Sequence, residues 1–322
     1  KRMEHCYAMA IAALVLVAST ARASALCAST MPSPFVSPLS LGDNSSVVTI
    51  LQHLLSRWST KDAGLCEGFG VTGIYDAATV GCVRALQRSR AVVPAIRAGT
   101  VGRPTALEIL SVASDDGYVD DGRSASDQGY LYKLLIPVHR NRSIETNATF
   151  LDAHNNVLFR FTVRAKGHVV DGCGQAMSEP WPNFNNSGDG LNTFTTDGRT
   201  PTGLIEIDPQ TPEGDAKLYG PFPVTRFVRG LRGNAAILLP HHRSGILLHT
   251  GQWGAAWQPP MSMPNSAGCV HTWPNNVERV WKTALSLGAV IRNNTNGKQP
   301  YPYRPQALAS VYLVGDLDSV RF

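Results

Sequence analysis

From residue 46 the apolar positions recur with a helical period. Val47, Ile50, Leu51, Leu54 and Leu55 fall at i, i+3, i+4, i+7 and i+8, which predicts an amphipathic helix. A second helix is expected from Asp76, with Val80, Val83, Ala85 and Leu86 apolar. A third carries Pro104 in its first turn and runs through Leu110. Gly-rich turns separate them, at 68–73 and 99–102. Beyond residue 130 the pattern changes to strands over 132–138, 144–151 and 157–163, the last two joined by a His154-Asn155-Asn156 hairpin turn. Further strands are expected over 203–207, 235–239 and 246–249. One late helix follows, capped by Asn275 or Asn276. Val277, Val280, Trp281, Ala284 and Leu285 form its apolar face, Gly288 ends it, and 289–291 reads as a closing strand. The fold class is therefore α+β: a small three-helix domain over 46–113, then a mostly-β domain over 130–297 with one flanking helix. Residues 26–45 (Ser/Pro-rich) and 114–129 (Asp/Gly/Ser-rich) read as linkers, and 298–322 as an extension wrapped on the surface.

Residues 1–25 have the layout of a secretion signal. Lys1, Arg2 and His5 precede an apolar run over 8–18, and Ala21-Arg22-Ala23 offers a small-residue cleavage site. The run is too short to span a bilayer and no later segment is apolar enough, so the mature chain is expected to carry no membrane anchor. The expected location is extracellular or in a cell wall, periplasmic in a Gram-negative source. In the 322 residues, charged side chains make up only 16%, against a usual ~25%. The net charge of +5 is mild, and with no dense Lys/Arg run it gives no reason to expect nucleic-acid binding. Nothing in the composition fixes an oligomeric state.

Export changes how the cysteines are read. Of six, Cys6 lies in the signal, leaving Cys27, Cys66, Cys82, Cys173 and Cys269, an odd number. Cys66 and Cys82 fall in one small domain and are the expected disulfide; Cys173 pairs with Cys27 or stays free. Sequons stand at Asn44, Asn141, Asn147, Asn185 and Asn293.

The helical unit carries four short motifs in register: Leu51-Gln52, Gly73-Ile74-Tyr75-Asp76-Ala77-Ala78-Thr79, Leu86-Gln87 and Gly99-Thr100-Val101-Gly102-Arg103-Pro104-Thr105. In order and spacing they resemble the type-1 peptidoglycan-binding domain, with an insertion carrying Cys66 as the departure. The resemblance implies peptidoglycan as the partner.

The chemistry concentrates between residues 246 and 273. Ile246-Leu247-Leu248-His249-Thr250-Gly251 places a His at a strand end, and Ser266-Ala267-Gly268-Cys269-Val270-His271 places a Cys in a Gly turn. A cysteine nucleophile needs a base, a group that orients the base, and N–H donors for the oxyanion. His249 suits the base and the Thr250 carbonyl the orienter. Gly268 permits the sharp turn that aims the amides around Gly268 and Cys269 at one spot. A thiolate–imidazolium pair of Cys269 and His249 would make the thiol reactive well below its free pKa of ~8.5. Ser266, Trp253 and Trp257 flank the site as candidate substrate contacts. No C-x-x-C or H-E-x-x-H spacing occurs, so no metal and no cofactor is expected.

These residues resemble the L,D-transpeptidase (YkuD-like) catalytic domain, whose pattern is a His, a spacer of 14 to 17 residues, and Ser/Thr-His-Gly-Cys. Here 16 residues separate His249 from Ser266, and Thr200-Pro201-Thr202-Gly203 matches an upstream family turn. The resemblance implies a transferase: Cys269 attacks a stem-peptide carbonyl, expels the terminal D-alanine and passes the acyl group to an amine. Two departures stand out. Ala267 replaces the usual His, and His271 replaces an Arg or Asn that lies beside the bound stem. The alternatives are a cysteine hydrolase or L,D-carboxypeptidase acting on its own or a foreign wall, and a noncatalytic peptidoglycan-binding protein.

Overall fold

A computed structural model describes residues 31–32, 34–61, 66, 69–94, 96–113, 116–139, 144–165, 193–194, 198–251, 263–264, 266–294 and 301–314. The expected signal, Cys27, Cys173, Trp253 and Trp257 lie outside the described residues. The chain divides into two compact units, one ending at Ala113 and the other beginning at Ser114.

Among the described residues the first unit holds three helices, α1 (Ser46–Lys61), α2 (Ala77–Ser89) and α3 (Arg103–Ala113). Ile50, Leu51, Leu54, Leu55, Val83, Leu86 and Ile109 form its buried faces. Asp76 caps α2, its carboxylate accepting the Thr79 N–H at 2.8 Å. Two buried glutamines fasten the turns between helices. The Gln52 amide accepts the N–H groups of Thr72 (2.9 Å) and Gly73 (2.8 Å), and donates to Ile74 O (2.8 Å) and Thr79 Oγ1 (3.0 Å). Gln87 does the same one turn later: it accepts Gly99 N–H at 2.8 Å and donates to Thr100 O (2.8 Å) and Thr105 Oγ1 (3.0 Å). Cys66 and Cys82 are disulfide-bonded, as expected. The end of the expected 26–45 linker is instead packed. Phe35 and Leu39 are buried, and Leu39 pairs its backbone with Val101 in both directions (3.1 and 2.9 Å).

The second unit is a closed eight-stranded barrel. Its strands are β1 (Tyr132–His139), β2 (Thr146–Asp152), β3 (Val157–Ala165), β4 (Gly203–Gln210), β5 (Val224–Gly230), β6 (Leu247–His249), β7 (Val270–Thr272) and β8 (Ala307–Val314). They run around the barrel in the order β1-β2-β3-β7-β6-β5-β4-β8, with β8 closing onto β1. The β1–β8 and β6–β7 pairs are parallel and the rest antiparallel. The core holds alternate residues of each strand, with Tyr132, Phe150 and Phe159 stacked at 4.8 and 5.2 Å. Helix α6 (Pro274–Ser286), with Trp273 rather than an Asn at its N-cap, adds Val280 and Ala284 to that core.

Four further expectations give way. The tail is no surface wrap, because Ala307–Val314 is a barrel strand that pairs with β1 and β4, so the domain runs past 297. The expected closing strand at 289–291 does not form, and the nearest pairing is an isolated bridge from the next residue, Arg292, to Gln210. The expected strand at 235–239 is a helix, α5 (Gly233–Leu238), whose Asn234 N–H is capped by the Asp116 carboxylate at 2.6 Å. Finally, 116–129 is docked rather than a free linker: Asp116 also binds Thr202 Oγ1 (2.6 Å), Tyr118 meets Ser310 Oγ (2.9 Å), and Asp120 pairs with buried Lys133 (2.7 Å). A short helix, α4 (Ala216–Tyr219), precedes β5.

Replacing Gln87 with Leu keeps the volume but leaves the Gly99 N–H, Thr100 carbonyl and Thr105 hydroxyl without their partner. At 1–3 kcal/mol per abandoned buried group, partly relieved by water, the expected loss is about 2–4 kcal/mol. Hydrogen exchange checks it. In Gln87→Leu the Gly99 amide should exchange at least tenfold faster, while amides of β1 and β8 keep their parent rates.

Candidate active site

Two very short strands position the site. In the parallel β6–β7 pair, Leu248 lies opposite Val270 and His249 opposite His271. Leu248 and Val270 both belong to the barrel core. Strand alternation then places His249, Cys269 and His271 on the outer face.

His249 is buried, and its Nδ1–H donates to the Thr250 carbonyl at 2.6 Å. That bond fixes the tautomer and leaves the Nε2 lone pair as the basic position. The Tyr219 ring stands 5.1 Å from the imidazole, and the His271 ring packs edge-on at 4.7 Å. His271 is itself buried, with Nδ1–H donated to Pro264 O at 2.8 Å, and it pairs across β3 with Arg164. It therefore faces the inside of the site wall and not open solvent.

The Cys269 turn is held from several sides. Ser266 Oγ donates to Cys269 O at 2.6 Å and accepts the Gly268 N–H at 3.2 Å. Thr200 Oγ1 donates to Gly268 O at 2.7 Å. Buried Arg243 binds the carbonyls of Thr193 (3.0 Å), Gly198 (2.8 Å) and Arg199. Gly268 has φ +104°, and a Cβ there would meet the Arg243 guanidinium and come within 2.6 Å of Gly198 O. Ser266 thus braces the turn, and the Gly268 N–H is spent on it. Cys269 is half-buried, its Sγ 3.6 Å from Gly245 O.

Burial governs the protonation of all three groups. It lowers His249 to about 4, with the Thr250 bond opposing, and holds His271 well below the usual imidazole range, helped by His249. It pushes the Cys269 thiol up to about 11, against the opposing fields of Arg243 and Arg226. The resting pair is therefore a neutral thiol and a neutral imidazole, not the ion pair expected from the sequence.

Sequence reasoning missed three neighbours of Cys269: Tyr219, Arg226 and Glu213. Burial first, and then the field of Cys269, raises the Tyr219 hydroxyl. Arg226 is buried on β5 opposite Leu247. It donates Nε to Gln210 (2.8 Å) and Nη2 to Glu213 (2.5 Å) and Asn294 (2.9 Å). The Asp215 cap of α4, which sets Tyr219, was the local signal available. Arg226 comes from a strand whose long-range pairing the sequence does not display.

No family model matches the chain, and no curated protein matches it. Among solved structures it is similar to the crystal structure of L,D-transpeptidase (Yku) from Stackebrandtia nassauensis, at 11% identity and TM-score 0.28, over 85% of this chain and 94% of that one. Among the described residues, no helix is long and apolar enough to cross a membrane.

A histidine whose folded pKa is depressed stabilises the fold above its unfolded pKa, and that stability is lost as pH falls. For His249 the window runs from 6.5 down to about 4 and is worth about 3 kcal/mol, with His271 adding in the same direction. Urea midpoints should drop steadily between pH 6.5 and 4.5. The drop should be smaller in His271→Gln, which removes one of the two imidazoles.

Proposed function

We propose that the chain is a secreted cysteine acyltransferase of the L,D-transpeptidase type that acts on peptidoglycan stem peptides. The observation that supports it most is the His249 Nδ1–H bond to the Thr250 carbonyl. It leaves a neutral Nε2 acceptor on the strand beside Cys269, on the same outer face. The His249-spacer-Ser266-x-Gly268-Cys269 pattern supplies the second support.

In this reading Cys269 Sγ–H gives its proton to His249 Nε2 as sulfur attacks the stem carbonyl. The tetrahedral oxyanion takes N–H donors from the turn around Cys269, since Gly268 N–H is engaged by Ser266. Collapse breaks the C–N bond, and the departing D-alanine amine carries away the proton from the imidazolium. An acceptor amine then attacks the thioester, His249 removes its proton, and the thiol is restored. If water takes the amine's place, the same steps give an L,D-carboxypeptidase. The three-helix unit acts as the wall-binding module, and the N-terminal segment directs export.

Because the resting pair is neutral, proton transfer accompanies carbonyl attack instead of preceding it. Cys269→Ala should abolish both cross-linked and trimmed muropeptides in mass spectra. Iodoacetamide should label Cys269 slowly at pH 7 and faster as pH approaches about 11. His249→Ala should eliminate thioester formation while leaving labelling at pH 7 within about twofold of the parent. Full turnover by Cys269→Ala would remove the assignment.

A further inference from the structure

A second concavity, of about 780 Å3, opens on the outer face over β4 and β5 and shares none of its lining residues with the Cys269 site. That volume is within the usual range for small-molecule sites. A β-bulge builds it. The β4–β5 register shifts between Glu206 and Ile207, so Val228 is the extra residue and Arg229 falls opposite Glu206.

The polar edge is fixed in place. Glu206 is buried and accepts the Tyr130 hydroxyl at 2.5 Å and Arg229 Nε at 2.7 Å. It is the one carboxylate among the described lining residues, and both its oxygens are engaged. Arg229, held through Nε, is 60% exposed, and its Nη groups have no protein partner among the described residues. Arg304 lies over the Tyr130 ring at 4.6 Å and donates Nη2 to Gln128 O at 2.8 Å. One tyrosine therefore orders both guanidiniums, through its ring and through the carboxylate its hydroxyl binds. His241 lines the groove as well.

The apolar wall has a different character. Tyr303 packs edge-on to Tyr301 at 4.5 Å, with the Arg292 guanidinium 4.0 Å from its centroid. Pro240, Pro302 and Pro305 complete the lining. Prolines offer flat apolar faces and no N–H, so at three positions the groove has no backbone donor for an extended peptide. A sugar ring seated by its C–H face, with acidic substituents reaching the two guanidiniums, uses the groove's aromatic and proline faces and both of its cations.

We propose that this groove binds an acidic saccharide, its rings against Tyr303 and the prolines and its carboxylates on Arg229 and Arg304. The full chain is titrated calorimetrically with tri-galacturonate, its neutral methyl ester, and a glycerol-phosphate oligomer of equal charge that lacks rings. The acid should bind, the ester and the ringless phosphate each at least about tenfold more weakly. Arg229→Gln and Arg304→Gln should each weaken acid binding about tenfold. Cys269→Ala should bind like the parent, which separates this site from acyl transfer. Arg304 is itself exposed and holds only the Tyr130 ring and Gln128 O, so Arg304→Gln should unfold close to the parent midpoint and stays informative even if Arg229→Gln disturbs Glu206. Equal binding of acid and ester, equal binding of the ringless phosphate, or parent affinity in the folded Arg304→Gln variant would each overturn the proposal.

Discussion

The parallel pairing of β6 with β7 buries Leu248 against Val270 in the barrel core, and that burial turns His249 and Cys269 to the outside. A slip of one residue in either strand would send its functional side chain into the core and an apolar one out. Each strand has only three residues, too few to hold a register unaided. The register is held by the flanking strands β5 and β3, and by the clamp on the turn that feeds β7. There Thr200 holds the Gly268 carbonyl, and the Arg243 guanidinium occupies the space a Cβ on Gly268 would need. The position of Cys269 thus follows from backbone and arginine packing more than from any contact the thiol makes.

The same burial that fixes the geometry sets the chemistry. With His249 lowered to about 4 and the Cys269 thiol raised to about 11, both by burial, the neutral forms of the two groups are the resting ones. Such a site protects its sulfur, since thiolate is the species that oxidises and alkylates. Arg226 and Arg243 oppose the thiol's rise, but burial outweighs their fields. At His271 burial comes first, and the charge of a protonated His249, whose ring lies 4.7 Å away, adds to it, so the second imidazole stays neutral.

Local patterns carried most of what could be read beforehand. The spans of α1 and α2, the 132–163 hairpins and the Cys66–Cys82 bridge all rest on periods, caps and turn residues within a few positions of one another. What the sequence hid depends on distant partners. Residues 235–239 read as a strand because their apolar run fits either element; Asp116, 118 positions earlier, supplies the helix cap. Ala307–Val314 follows a Pro/Tyr stretch that looks like a tail, yet its burial comes from β1 and β4. At the site, His249, Thr250 and Cys269 were visible as residue types in a spacing. The protonation of the pair was not, because desolvation belongs to the assembled wall around it. Tyr219 left only the Asp215 cap as a local sign, and Arg226 left none, because strand pairing brings it to the site.

The first unit shows what a motif can and cannot identify. All four of its short motifs do structural work: Gln52 and Gln87 hold the turns at Gly73 and Gly99, Asp76 caps α2, and Tyr75 donates its hydroxyl to Gly99 O at 2.9 Å. Buried groups satisfied this way have no donors left for a ligand. Any grip on a wall polymer comes instead from exposed side chains, such as Ile74 within the second motif at 47% accessible and Val93 and Ile96 outside the motifs at 80% and 63%. The motif therefore argues for a scaffold, and the ligand of that scaffold is decided by residues free to vary around it.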